Sequence, residues 1–204
     1  MKAITLLFLS IILFQQGFLH SQSSSYQQDI IKYRSDNWRG LIQDPRTTLK
    51  AADSIYLDYY PVKEKNKVYC TVELLTDQQP FDMPTYSGQV KPFIRYAKFS
   101  FSLSGKKIAL IAFRNLQHIS SPLYKDLLFI PFKDAGSGKQ TYDGGRYMDV
   151  RTGIIHDGHA LLDLNRIYNP WCAYSDGYNC PIPPVENHLQ VKIKAGEKKF
   201  KLSH

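Results

Sequence analysis

The sequence predicts a mainly β protein: a single antiparallel barrel-like domain with one or two N-terminal helices packed outside it. Three observations carry this. Aromatic residues make up 13% of the 204 positions, with 14 Tyr and 11 Phe, and such side chains favour the pleated, half-buried surface of a sheet. From Lys67 onward, short apolar runs are separated by turn residues at close spacing. Asp157-Gly158 lies between two of these runs and is a strong two-residue hairpin signal. A two-sheet sandwich is the alternative architecture.

Taken in order, the chain opens with one positive charge and an apolar core from Ala3 to Phe14. That core is too short to cross a bilayer and fits the central region of a secretory signal. Residues 1–22 are therefore expected to be a signal peptide cleaved near Ser21 or Gln22, with an uncleaved anchor as the alternative. The remaining residues, 23–204, form one expected domain, exported to the periplasm or secreted, with no later membrane span. Ile30, Ile31, Trp38 and Leu41 suit one face of a helix that Pro45 ends. Thr47 to Asp53 reads as a capped helical turn, and Tyr56 to Val62 as extended chain.

Expected strands follow. Residues 67–75 alternate, and a long loop covers 79–91. Residues 97–103 place Phe99, Phe101 and Leu103 on one face, and Ser104-Gly105 turns the chain. Residues 107–113 are apolar on both faces, as in a central strand. Residues 126–132 are similar, although Pro131 requires an edge, a bulge or a strand end. Residues 146–155 and 159–165 flank the Asp-Gly turn, and that register sets Asp149 opposite Arg166, with Asp163 and Asn165 on the face of Arg146. Residues 188–194 alternate once more.

The formal net charge is +8, but the lysines are scattered in pairs at turns and strand ends, which describes a solvated surface rather than a nucleic-acid stripe. Export also governs the cysteines. Cys172 and Cys180 read as a disulfide in an oxidising compartment, and their spacing matches no common zinc pattern. Cys70 alternates with Val68 and Val72 and reads as a small buried hydrophobe.

Residues 163–187 carry Cys172, Cys180 and four prolines among tyrosines and asparagines, which suits neither helix nor regular strand. This block, the run from Phe132 to Tyr147 and the run from Phe81 to Gly88 together resemble the family known as domain of unknown function 1684. Members are typically bacterial and many look exported. The resemblance implies no activity, cofactor or catalytic residue.

Gly136-Ser137-Gly138-Lys139 lacks the spacing of a phosphate loop, since Lys133 and Gln140 stand where Gly and Ser/Thr are needed. Its glycines could still converge amides on an anion, or form an ordinary loop. His156 and His159 flank the Asp-Gly turn, so no metal site is expected. The candidate ligand-binding set is Lys139, Tyr142, Arg146, Asp163, Asn165, Asn169, Tyr174, Glu186 and Asn187. Those groups either line a site or knit the irregular loop together. The leading expectation is a monomeric binding module, without cofactor, that holds a small polar or anionic ligand where the Gly-rich and disulfide loops meet. A small hydrolase working through Asp163, Glu186 or Tyr142 is one alternative, and a cell-envelope interaction protein without a pocket is another.

Overall fold

Strand pairing begins where the apolar alternation does. The structure is a computed structural model that describes residues 25–202. The expected signal peptide at 1–22 lies outside the described residues. The chain divides into two compact units, Met1–Trp38 and Arg39–His204. In the first, the described residues belong to helix α1, which spans 25–43 and bears a Lys32–Asp36 pair one turn apart. The helix ends just ahead of Pro45, whose ring cannot continue it.

The second unit holds a curled, seven-stranded antiparallel half-barrel. Its strands are β1 (Lys67–Leu74), β2 (Phe81–Pro84), β3 (Val90–Leu103), β4 (Lys106–Asn115), β5 (Leu127–Phe132), β6 (Arg146–Arg151) and β7 (His159–Asp163). The order across the sheet is β6-β5-β4-β3-β1-β7, with β2 added beside β3. Period-2 alternation puts Cys70, Phe99, Leu110, Leu128, Ile130, Met148 and Leu162 inside the curl, all at most 1% exposed. After β7, Tyr168 exchanges two backbone hydrogen bonds with Tyr147 of β6, at 2.9 and 3.0 Å, and so draws the two edges of the curl together.

One irregularity sets up the outer face. The β3–β4 register shifts between Arg95 and Ala97, inserting one extra residue, Tyr96. Because side chains alternate, this bulge reverses which face β3 presents. Beyond it, Ala97, Phe99 and Phe101 enter the core; before it, Lys91 and Phe93 stand on the other side of the sheet.

Four sequence expectations are corrected. Asp157-Gly158 does form the turn, with left-handed φ of 49° and 73° and two His156–His159 backbone bonds, but no long hairpin follows. A 3-10 turn at Thr152–Ile154 interrupts the chain, β6 pairs with β5, and β7 pairs with β1. Asp149 therefore lies opposite Phe129, not Arg166. A turn signal fixes two residues, whereas pairing follows the apolar faces of Met148 and Leu162, which distant strands bury. Residues 188–194 alternate as expected, with Ile193 buried, yet run as an extended tail and not a strand. Their polar bonds go to the loop at 133–135 instead of to a ladder. The expected loop at 79–91 contains β2. The helical turn expected at 47–53 forms at Ala51–Tyr56, where the Asp53 carboxylate accepts from the Lys50 amide.

Candidate functional site

The polar residues of the irregular loop are spent largely on structure. Arg146 is 1% exposed, donates to the Asp134 carboxylate at 2.7 Å, and also donates to the carbonyls of Ile193, Ala195 and Glu197 at 2.6–2.9 Å. Glu197 accepts from the Tyr174 hydroxyl at 2.5 Å and from the Asn169 amide at 3.0 Å. Burial raises the Tyr174 pKa well above its usual value, so the phenol stays protonated and donates. Gly196, at φ 71°, lets the tail pass Ile167 so closely that a Cβ there would lie 2.5 Å from the Ile167 carbonyl.

Asn165 joins β7 to residues 63–66. Its side chain accepts from the Lys63 amide and the Asn66 side chain, and donates to the Lys63 carbonyl and to Asp163. Asn187, 0% exposed, stands between β4 and β5, which share only the Phe113–Phe129 pair. It accepts from the Ile111 amide and donates to the carbonyls of Ile111 and Pro131. An asparagine thus supplies the ladder where Pro131 has no N–H to give. Glu186 pairs with Arg95. Arg146 and Asp163 do not meet.

The glycine-rich loop is likewise committed. The amides of Ser137, Gly138, Lys139, Gln140 and Thr141 all bond carbonyls within the loop, and that of Gly136 bonds Asp134. These amides cannot also converge on an anion. Of the nine candidates, Lys139 and Tyr142 line an open cleft of about 910 Å³ between this loop, the disulfide loop and the C-terminal tail. Lys198, Lys199 and Lys201 join them, against one carboxylate, Asp58, which bonds Lys198 and Lys201.

A second, smaller and mainly apolar cleft lies on the other flank of the disulfide loop. The Cys172–Cys180 disulfide is present. It closes a loop whose Trp171, Tyr178 and Pro181 wall a cleft of about 350 Å³ over the outer face of β3–β6. The floor is aromatic. Phe93 stacks on Phe129 at 5.7 Å, Phe129 meets the edge of Tyr147 at 4.7 Å, and Tyr147 meets Tyr168 at 5.9 Å. The Tyr147 hydroxyl donates to the Pro181 carbonyl at 2.5 Å, tying the loop to the sheet.

Arg46, Lys91, Asn115, His118, Asp149 and Asn179 are the polar members of an otherwise apolar and aromatic lining, which can give a ligand orientation without losing apolar contact. Asp149 accepts from Tyr168 at 2.7 Å. The residue is exposed at the cleft mouth, yet desolvation by the surrounding protein pushes its pKa up to about 6, against the opposing effects of Tyr168 and Arg151. Lys91 is shifted the other way, its pKa lowered by burial and then by the Arg46 charge. Arg46 itself is held by Asp44 at 2.8–2.9 Å and lies over the Tyr178 ring at 4.6 Å.

Sequence reasoning missed Asp149, Lys91 and Arg46 as site residues. The available signal was β5, where Leu127 and Phe129 make the outer face as apolar as the inner one. Among the described residues, no cluster of His, Cys, Asp and Glu could hold a metal, and no helix is long and apolar enough to cross a membrane.

The fold and cleft together define a class, an antiparallel half-barrel with an aromatic outer cleft roofed by a disulfide loop. The model of the family described as "Protein of unknown function (DUF1684)" matches residues 55–198, and the chain belongs to that family. Among solved structures it is similar to the solution NMR structure of an uncharacterized protein of Haloarcula marismortui, at 29% identity and a TM-score of 0.65. The alignment covers 87% of this chain and 96% of that one. None of the curated proteins matches.

Proposed function

We propose that the protein is an exported binding module whose aromatic cleft holds one small organic molecule. The observation that carries this reading is the cleft itself: stacked aromatics, a few convergent polar groups, and two ionisable side chains, Asp149 and Lys91, displaced from their ordinary pKa in opposite directions. A disulfide holding the roof suits an oxidising compartment, in keeping with export. Of the residues a hydrolase would use, Asp163 and Glu186 line neither cleft and are engaged by Asn165 and Arg95, while Tyr142 lines the cleft beside the glycine-rich loop.

Native mass spectrometry of protein purified from its source should reveal a co-purifying small molecule that is released on substituting Phe129 by Ala. Retention of the same molecule by the folded Phe129→Ala variant would overturn the reading. The exported product should begin near Ser21 or Gln22 on N-terminal sequencing; a product that begins at Met1 would overturn export.

A further inference from the structure

One corner of the aromatic cleft is built from donors that the protein itself leaves unmatched. Tyr178 is 5% exposed, lines the cleft, and has a buried hydroxyl with no hydrogen-bond partner in the protein. Buried hydroxyls nearly always find a partner, so an orphaned one in a cavity wall marks a place where something else should bond. Its ring lies beneath the Arg46 guanidinium at 4.6 Å and meets the edge of Trp171 at 5.2 Å.

Arg46 is oriented by Asp44, which occupies Nε and Nη2 and leaves the Nη1 donors uncommitted. Lys91 completes the group. It lines the same cleft, half-buried, and no carboxylate pairs with it among the described residues. It is there because the Tyr96 bulge turns the first half of β3 outward. Asp44 offsets the charge of Arg46, so the ammonium of Lys91 is uncompensated locally. Asp149 does not serve: it stands on β6, three strand spacings from β3 and so about 14 Å away along the sheet.

We infer that Lys91, Arg46 and the Tyr178 hydroxyl form a subsite for the oxyanion head of an organic acid whose apolar body lies against Phe93, Phe129 and Tyr147. This rests on the cleft being a ligand site and names its ligand class. The chemistry fits at each point. An ammonium and a guanidinium give charge-assisted bonds to a carboxylate or phosphate, and the phenol adds a neutral donor that would otherwise stay unsatisfied. The stacked rings offer an apolar wall of the right kind for a flat or aliphatic body. A neutral ligand would fill the wall but leave the charge of Lys91 unbalanced; a cationic one would meet repulsion from Lys91.

The test uses the mature chain and three probes with one ring and different heads: phenylacetate, phenylacetamide and 2-phenylethylamine. Binding is read by calorimetry and by chemical-shift titration of the Trp171 indole. Phenylacetate should bind at least tenfold more tightly than the amide, and the amine most weakly. Lys91→Met should lower phenylacetate affinity toward the level of the amide while changing the amide far less, and Tyr178→Phe should weaken the acid more than the amide. Lys91→Gln serves as the second variant if Lys91→Met does not fold. If acid and amide bind equally and neither Lys91 substitution alters this, the anion subsite is overturned while the cleft reading stands. If no probe perturbs Trp171 or yields heat, the cleft reading itself fails.

Discussion

Replacing Arg146 with Met tests the claim that this residue is structural. The guanidinium is 1% exposed and donates to Asp134 and to three tail carbonyls. Met fills much of the space but offers no donor, so a buried carboxylate loses its cation and three carbonyls lose a partner. Asp134 keeps the amides of Gly136 and Ile193, which moderates the loss. Breaking a buried pair from one side costs about 3–5 kcal/mol, a large share of the roughly 5–15 kcal/mol that holds a domain folded. At about 2–4 °C per kcal/mol for a domain of this size, Tm should fall by roughly 6–20 °C. Urea unfolding followed by circular dichroism should give that loss with an unchanged slope. Adding Asp134→Asn should cost less than the sum of the two single changes, because the partners are coupled. A loss under about 1 kcal/mol, or strict additivity, would refute the network.

Other outcomes follow from the same geometry. Asn187→Ala strips the link between β4 and β5 and should cost about 2–3 kcal/mol by chemical denaturation, since a buried amide and two carbonyls lose partners. Reducing the Cys172–Cys180 disulfide should destabilise the fold by roughly 2–3 kcal/mol in the loop-entropy account and loosen the cleft roof, so thermal melting and probe binding should weaken together. Because the Asp149 pKa is raised to about 6 on folding, the folded state holds its proton longer than the unfolded chain. Its contribution to stability should therefore fall as pH rises from about 4 to about 6 and stay level beyond that. Carboxyl NMR should place its midpoint near 6, and Asp149→Asn should remove that slope from the stability profile; a midpoint near 4 would contradict the cleft environment.

Much of the architecture follows from local chemistry that any window of the sequence displays. The alternation in β1, the apolar run of β4, the Ser104-Gly105 and Asp157-Gly158 turns and the burial of Cys70 each depend on neighbours within a few residues. Polarity alone could not sort the asparagines and charges of the 163–187 loop. Whether Arg146 or Asn187 binds a ligand or the backbone depends on carbonyls contributed by residues more than forty positions away.

The cleft was hidden for the same reason. Phe93, Phe129, Tyr147 and Tyr178 look like core aromatics in sequence, and Lys91 like one more surface lysine. Only the antiparallel order β6-β5-β4-β3, the face reversal at Tyr96 and the return of the disulfide loop over that face bring them together. Sequence by itself determined the period of the strands, the turns and the staple, because these are short-range consequences of side-chain shape. Tertiary structure decided which edges pair and which polar groups remain unsatisfied, because those follow from burial summed over distant segments.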